Sequence, residues 1–230
     1  MSFVHSPKIV TNGLIMCVDT ASNRSYISGN SNTWINLAGT GNNGNLGFTN
    51  VTGSRMGLVL NAGTQFIPFP SNDFKFGTGN FSINAWANPA TGGSPAIFGV
   101  AASVTQSRYA LGFQFFSPNY AFCFIKDDNS NQVQIYSDPI IQNNWYNICM
   151  VANRQSNLSL YVNGKLNSQA IATGVTGNIN PLGTCMCGGV VNGSGPNYSG
   201  MVSNISVYNR ALSNVEIKQN FDALRGRFGV

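Results

Sequence analysis

Hydrolysis of a glycosidic bond with retention takes two carboxyl groups about 5 to 5.5 Å apart, one as nucleophile and one as acid and base. The 230-residue chain offers one glutamate, Glu216, and six aspartates, Asp19, Asp73, Asp127, Asp128, Asp138 and Asp222. Only Asp127 and Asp128 are neighbours. They open Asp127-Asp-Asn-Ser-Asn131, a stretch with turn chemistry in which successive side chains diverge into water. The single histidine, His5, stands in the N-terminal arm and supplies no base for a serine or cysteine nucleophile. No catalytic residue is assigned, and the expectation is a protein that is not an enzyme.

Thiol chemistry is equally sparse. Cys17, Cys123, Cys149, Cys185 and Cys187 are odd in number and sit in apolar, strand-like runs. That pattern reads as buried, reduced thiols rather than a disulfide framework. Cys185 and Cys187, two apart in a strand, share a face. A structural zinc site would need four ligands, and with one histidine and no CxxC the chain does not provide them.

Non-covalent recognition of a sugar needs an aromatic face with amides or hydroxyls beside it. In Phe81-Ser-Ile-Asn-Ala-Trp-Ala-Asn88, period two sends Phe81, Ile83, Ala85 and Ala87 to the core and Ser82, Asn84, Trp86 and Asn88 to the other side. Asn84 and Trp86 are therefore candidate glycan contacts, set against a plainer reading in which Trp86 fills the far side of the sheet beneath a loop. Tyr198, in the Gly/Asn/Ser stretch 192–200, is a third candidate. Trp34 and Trp145 read as core.

Composition sets the frame for these residues. Charged residues make up 8% of the chain, aromatic ones 11% and hydrophobic ones 43%, beside 26 Gly and 32 Asn. A soluble domain is ordinarily about a quarter charged. The apolar content builds a large core, so whole-chain disorder is excluded. The net charge of +5 is scattered singly, with only Arg210, Lys218, Arg225 and Arg227 approaching a cluster, and this argues against a phosphate-tracking stripe for nucleic acid. No apolar run reaches the 18 or so residues of a membrane helix. The N-terminus shows no apolar core of an export signal, so the Asn-x-Ser/Thr triplets at Asn23, Asn50, Asn80, Asn157, Asn192, Asn197 and Asn204 read as chance in an Asn-rich chain. From Leu166 to Asn209, 44 residues pass without Asp, Glu, Lys or Arg. A neutral polar surface of that extent is cheap to desolvate and suits contact with neighbouring subunits.

Ten short runs rich in β-branched and aromatic residues predict strands at 14–19, 57–60, 81–87, 108–116, 120–126, 132–137, 145–153, 158–162, 183–190 and 201–208. Asn163-Gly164 predicts a type I′ hairpin, and 127–131 a second turn. With no helical patterns between the strands, the class is all-β, an antiparallel two-sheet sandwich. One helix is signalled: Ser213 and Glu216 form a capping box, and Ile217, Phe221 and Leu224 mark its face from about Asn214 to Leu224. The tail's Phe228 is expected to dock back on the sandwich. The whole chain, 1–230, is read as one domain with an arm at 1–12 and a C-terminal helix and tail at 213–230.

Six segments occur in order: Asn12-Gly-Leu-Ile-Met, Thr33-Trp-Ile-Asn-Leu-Ala-Gly, Gly79-Asn-Phe-Ser-Ile-Asn-Ala-Trp, Asn144-Trp-Tyr-Asn-Ile, Leu160-Tyr-Val-Asn-Gly-Lys-Leu and Gly200-Met-Val-Ser-Asn-Ile-Ser-Val-Tyr-Asn-Arg. Together they resemble the laminin-G-like branch of the concanavalin A-like lectin/glucanase superfamily, over roughly residues 8 to 228. The resemblance implies a jelly roll of two curved sheets with one short C-terminal helix. It also raises the question of Ca²⁺, which many such relatives hold at the sandwich rim. The best local oxygen donors are Asp127, Asp128, Asn129 and Asn131, weighed against a solvated polar turn. Ser203 and Asn204 stand where relatives often carry an acid, which weakens a metal role on that strand. No other cofactor is expected.

Within the superfamily, Pro7-Lys-Ile-Val-Thr-Asn-Gly-Leu and Asn220-Phe-Asp-Ala-Leu-Arg-Gly-Arg-Phe-Gly resemble single-domain virion proteins of tailed bacteriophages. That resemblance implies an exposed capsid decoration, fibre or neck component, assembled in the host cytoplasm into the virion. Its partners would be other virion proteins and further copies of itself, with adhesion to host-surface or environmental glycans. The alternative is a stand-alone bacterial carbohydrate-binding or adhesion module. Neither reading involves nucleic acid or membrane.

Overall fold

The computed structural model describes residues 7–27, 32–39, 43–47, 51–61, 65–70, 74–90, 96–101, 106–115, 119–182, 184–189 and 198–230. His5 and Asp73, and the triplets at Asn50, Asn192 and Asn197, lie outside them. The strands run in order as β1 (Leu14–Asp19), β2 (Thr33–Trp34), β3 (Gly44–Asn45), β4 (Thr52–Gly53), β5 (Leu58–Leu60), β6 (Ile67–Phe69), β7 (Phe81–Pro89) and β8 (Ala96–Ala101). They continue as β9 (Arg108–Phe115), β10 (Asn119–Lys126), β11 (Gln132–Pro139), β12 (Tyr146–Ala152), β13 (Asn157–Val162), β14 (Lys165–Ile171), β15 (Thr184–Cys187) and β16 (Gly200–Tyr208), followed by helix α1 (Asn214–Phe228).

Every pairing is antiparallel. One sheet has eight strands in the order β14-β13-β12-β7-β16-β5-β4, with β1 also on β16; a second has six, β11-β10-β9-β8-β15-β6; and β2 pairs with β3 in a small ribbon. Strand β16 serves two partners on one edge, β5 along 200–202 and β1 along 204–208, and a bulge at Ser203 separates the two registers. The predicted turn at Asn163-Gly164 takes φ of 50° and 73°, both left-handed, as a type I′ hairpin requires.

The period-two pattern of each strand puts one apolar row between the sheets. Phe81, Ile83, Ala85, Ile148, Met150, Leu158, Ile205 and Val207 from the eight-stranded sheet meet Phe69, Phe98, Val100, Leu111, Phe113, Cys123, Ile125 and Cys185 from the six-stranded one. All five cysteines are buried free thiols. Burial raises each above its ordinary value, which leaves them unreactive.

The outer face of the eight-stranded sheet carries apolar clusters among buried polar side chains, and α1 covers it. Trp86 stacks on Phe228 at 4.2 Å and on Phe221 at 5.7 Å, and Trp145 leans on Phe228 at 4.5 Å. Further along, Val10, Cys149, Val151, Tyr161, Tyr208, Leu212 and Ile217 form a second cluster. Polar side chains on this face are bonded to one another or to the chain that crosses them: Asn147 Nδ2 donates to Asn84 Oδ1 at 3.0 Å, and Ser82 Oγ accepts from Leu212 N–H at 3.0 Å. The N-terminal segment is pinned to the same helix, Val10 N–H donating to Asn220 Oδ1 at 2.8 Å and Gln219 Nε2 to Lys8 O at 2.7 Å.

The helix starts where the capping box places it and runs four residues past the expected end, through Gly226 to Phe228. A mid-helix glycine costs about 1 kcal/mol relative to alanine. The extra turn offsets that cost by putting Phe228 on Trp86 and Arg227 Nη1 2.7 Å from Asp19 Oδ1. Gly229, left-handed at φ 71°, then closes the helix by donating to Arg225 O.

Phe228→Ala removes a ring stacked between two tryptophans and is expected to lower unfolding stability by about 3 kcal/mol, read from urea denaturation. A second expectation concerns pH. Arg210, 2.6 Å away, and then the Ser213 backbone hold the Glu216 carboxyl at about 2, below its ordinary 4.5. A folded value below the unfolded one means that protonation favours unfolding: the contribution is complete above 4.5 and is lost as pH falls towards 2. The stability advantage of the parent over Glu216→Gln should therefore vanish across that window in pH-dependent urea titrations.

Candidate functional site

With one outer face closed by α1, the outer face of the six-stranded sheet is where the fold can present a ligand surface. One feature lies on that face and another at its β6 edge, where the β2–β3 ribbon packs on the core-facing Ile67 and Phe69. At the β6–β15 end, a cleft of about 890 Å³ lies between the β2–β3 ribbon and the sheet. Its size falls within the roughly 300–1,000 Å³ usual for small-ligand clefts. Asn32, Thr33, Asn43 and Asn45 line one wall, and Pro68, Pro70 and Thr184 the other. Pro68 and Thr184 face outward because their neighbours Ile67, Phe69 and Cys185 face the core. A proline is tolerated here because β6 is an edge strand.

The ribbon holds its place by alternation. Trp34, Gly44 and Leu46 turn inward, while Thr33, Asn45 and Gly47 face the cleft or solvent. Trp34 is fully buried against Phe69, centroids 6.5 Å apart. Gly44 lies so close over that ring that a Cβ would stand 2.8 Å from Phe69 Cζ and 2.9 Å from Ile67 Cγ2, so only glycine lets the ribbon approach. Asn36 ties the ribbon to β1: its Oδ1 accepts from Cys17 N–H at 2.8 Å and Ala38 N–H at 3.0 Å.

At the other end of the face, β9 to β11 carry an aromatic strip. Tyr136 is 41% exposed, packs edge-on to Tyr120 at 6.1 Å and lies against Phe122 at 6.4 Å. The exposed Gln134 donates from Nε2 to Tyr136 Oη at 2.7 Å, and the Arg108 guanidinium lies over Phe124 at 5.3 Å. Five inter-strand spacings separate β11 from β6, roughly 24 Å.

The residues singled out in the sequence lie elsewhere. Trp86 has no exposed surface: both faces of its ring serve the packing of α1, so it presents no platform to a sugar. Asn84 is buried beside it and bonded to Asn147. Tyr198 is also fully buried, its hydroxyl donating to Met201 O at 3.1 Å. All three are corrected from candidate contacts to structural residues. Trp86 does fill the far side of the sheet, beneath helix α1 rather than a loop; Trp34 is core as expected, whereas Trp145 is partly exposed at the helix margin.

Asp127 to Asn131 do form the β10–β11 turn, but it is a staple rather than a solvated tip. Asp127 is fully buried; its Oδ1 accepts from Asn131 N–H at 2.8 Å, and its Oδ2 from Gly177 N–H at 2.8 Å and Asn131 Nδ2 at 3.1 Å. Asp128 Oδ1 and Oδ2 accept from Asn178 N–H and Nδ2, which holds its carboxyl below the usual carboxylate range. Beneath them the buried Arg154 donates to Gly77 O at 2.7 Å, Val175 O at 2.6 Å and Gly177 O. Oxygens saturated by N–H donors do not form a cation cage, so the Asp127, Asp128, Asn129 and Asn131 set is corrected to a loop clamp. Among the described residues no three His, Cys, Asp or Glu come close enough to hold a metal ion. The other described carboxylates are engaged likewise: Asp19 with Arg227, Asp138 with Asn167, Asp222 with Lys218 and Glu216 with Arg210.

A family model described as the concanavalin A-like lectin/glucanases superfamily matches residues 61–218. The chain belongs to this superfamily. Three solved structures show how far the lectin-type fold extends. The binding domain of Paraclostridial Mosquitocidal Protein 1 is 14% identical with a TM-score of 0.67, over 92% of this chain and 52% of that one. The Botulinum Neurotoxin serotype G binding domain is 16% identical with a TM-score of 0.68, over 90% and 50%. The Botulinum neurotoxin serotype D ligand binding domain, solved in complex with N-acetylneuraminic acid, is 13% identical with a TM-score of 0.70, over 93% and 51%. The chain thus spans about half the length of these structures, and the likeness is one of fold. No curated protein matches the sequence.

The clamp predicts a specific cost. Asp127→Ala leaves the buried Gly177 N–H without its acceptor and frees the turn at Asn131, and should destabilise by about 2 kcal/mol, while millimolar Ca²⁺ or a chelator leaves the parent's melting temperature unchanged in calorimetry.

Proposed function

We propose that the protein is a non-catalytic carbohydrate-binding module whose ligand lies in the cleft between the β2–β3 ribbon and β6–β15. The cleft itself carries this reading. At the β6 edge of the sheet left uncovered by the helix, it concentrates asparagine and threonine side chains, which donate and accept for sugar hydroxyls, and the proline rings of Pro68 and Pro70, which pack against C–H faces. Membership of a lectin-containing superfamily supports it, as does the sugar bound to the serotype D neurotoxin domain. The carboxylates give no support to hydrolysis, since each described one is tied to a cation or N–H group and none lines the cleft.

Placement in a phage particle is a secondary reading, supported by the resemblance of residues 7–14 and 220–229 to virion proteins and by the charge-free stretch 166–209. The toxin domains above lend it no support. Electron microscopy of intact particles tests it. For the primary reading, a glycan array should show discrete binding, weakened roughly tenfold or more in an Asn45→Ala/Thr184→Ala double variant that melts as the parent does. A reducing-sugar assay on the bound glycan should show no product. Undiminished binding by the double variant would remove the ligand from the cleft.

A further inference from the structure

The charge-free run 166–209 has a counterpart. From Ser25 to Ser54, and again from Met56 to Asn72, there is no Asp, Glu, Lys or Arg, with Arg55 alone between them. In the fold these distant runs converge on the cleft: 32–47 supplies the ribbon wall, 68–70 the β6 wall and Thr184 the β15 wall. Arg55 is not among the lining residues; it lies in the β4–β5 turn and donates to Asn23 Oδ1 at 3.0 Å. Strands β6, β15 and β8, which lie side by side, contain no charged residue, and the charges of this sheet, Arg108, Lys126 and Asp138, stand on β9, β10 and β11 at the far end.

Backbone donors could replace a missing cation, as they do where amides cradle anions. Around this cleft several are already engaged. Leu46 N–H donates to Asn32 O at 2.8 Å, Gly47 N–H to Asn45 Oδ1 at 2.9 Å, and Asn36 N–H to Asn43 Oδ1 at 2.8 Å. An acidic group brought from water into such a wall loses hydration and gains no charged partner, whereas a hydroxyl exchanges one neutral hydrogen bond for another.

Resting on the carbohydrate-binding reading, we propose that the cleft takes neutral saccharides and discriminates against acidic ones. It differs in this from a site that holds a sugar by its carboxylate. Binding is therefore insensitive to salt, despite the net charge of +5.

The test pairs neutral glycans on an array with the same glycans ending in a sialate, uronate or sulfate, at low and high salt. The parent is expected to bind the neutral members, equally at both salt concentrations, and their acidic counterparts roughly tenfold or more weakly. Thr184→Lys, at an exposed cleft position, is expected to gain the acidic members in a salt-dependent manner. A parent that binds acidic glycans as well as or better than neutral ones overturns the inference and leaves carbohydrate binding intact. So does a Thr184→Lys variant that keeps neutral binding without gaining acidic binding, because lining charge would then not set selectivity. A parent that binds nothing on the array overturns both readings.

Discussion

The eight-stranded sheet buries side chains on both faces, and the rest of the molecule follows from the need to cover them. The inner face is covered by the second sheet, as in any sandwich. The outer face carries Trp86, Trp145, Cys149, Val151 and Tyr208, and α1 with the N-terminal segment closes over it. Burying a tryptophan between Phe221 and Phe228 removes a large aromatic area from water, which explains why the helix tolerates Gly226 and continues until Phe228 is in place. Gly164 belongs to the same arrangement, since a Cβ there would stand 2.9 Å from Phe221 Cβ, so the β13–β14 hairpin can pass beneath the helix only as Asn-Gly. Once one face is closed in this way, the surface left open is that of the other sheet and its edge.

The scarcity of charge has two structural expressions. Most described acidic side chains act as internal fasteners: Asp127 and Asp128 bind the β10–β11 turn to 177–178, Asp138 joins β11 to β14, Asp19 holds the helix end and Glu216 its start. Solubility and recognition are then left to amides and hydroxyls, and at the β6–β15 end they are left to them entirely. A neutral polar wall has a low desolvation cost, and that suits the weak, additive hydrogen bonding by which sugars are held.

Fold was legible in the sequence where period two and turn chemistry agreed. Nine of the ten predicted runs match strands to within a residue or two, and among the described residues of the tenth, 183–190, the strand spans 184–187. Six strands were missed: β6 carries Pro68, β14 is a polar edge strand, β2, β3 and β4 are two residues long, and β8, Ala-Ile-Phe-Gly-Val-Ala, is an apolar run without period-two alternation and broken by Gly99. The site was less legible. Alternation placed Trp86 on the outer face of its strand, but nothing local told that the helix would cover that face. The residues that do line the cleft are ordinary Asn, Thr and Pro in three segments far apart in the chain, and only the pairing of β15 with β6 brings them together. The alternation of Gln132, Gln134 and Tyr136 against Val133 and Ile135 could have marked the outer strip.

The pinning of Lys8 and Val10 to Gln219 and Asn220 places both ends of the described chain behind the eight-stranded sheet, on the side opposite the cleft. A label, carrier or solid support coupled to the exposed Lys218 of α1 would therefore stand at the back of the molecule. Immobilised in that way, every copy would turn its cleft outward, the orientation wanted in a sensor or an affinity reagent.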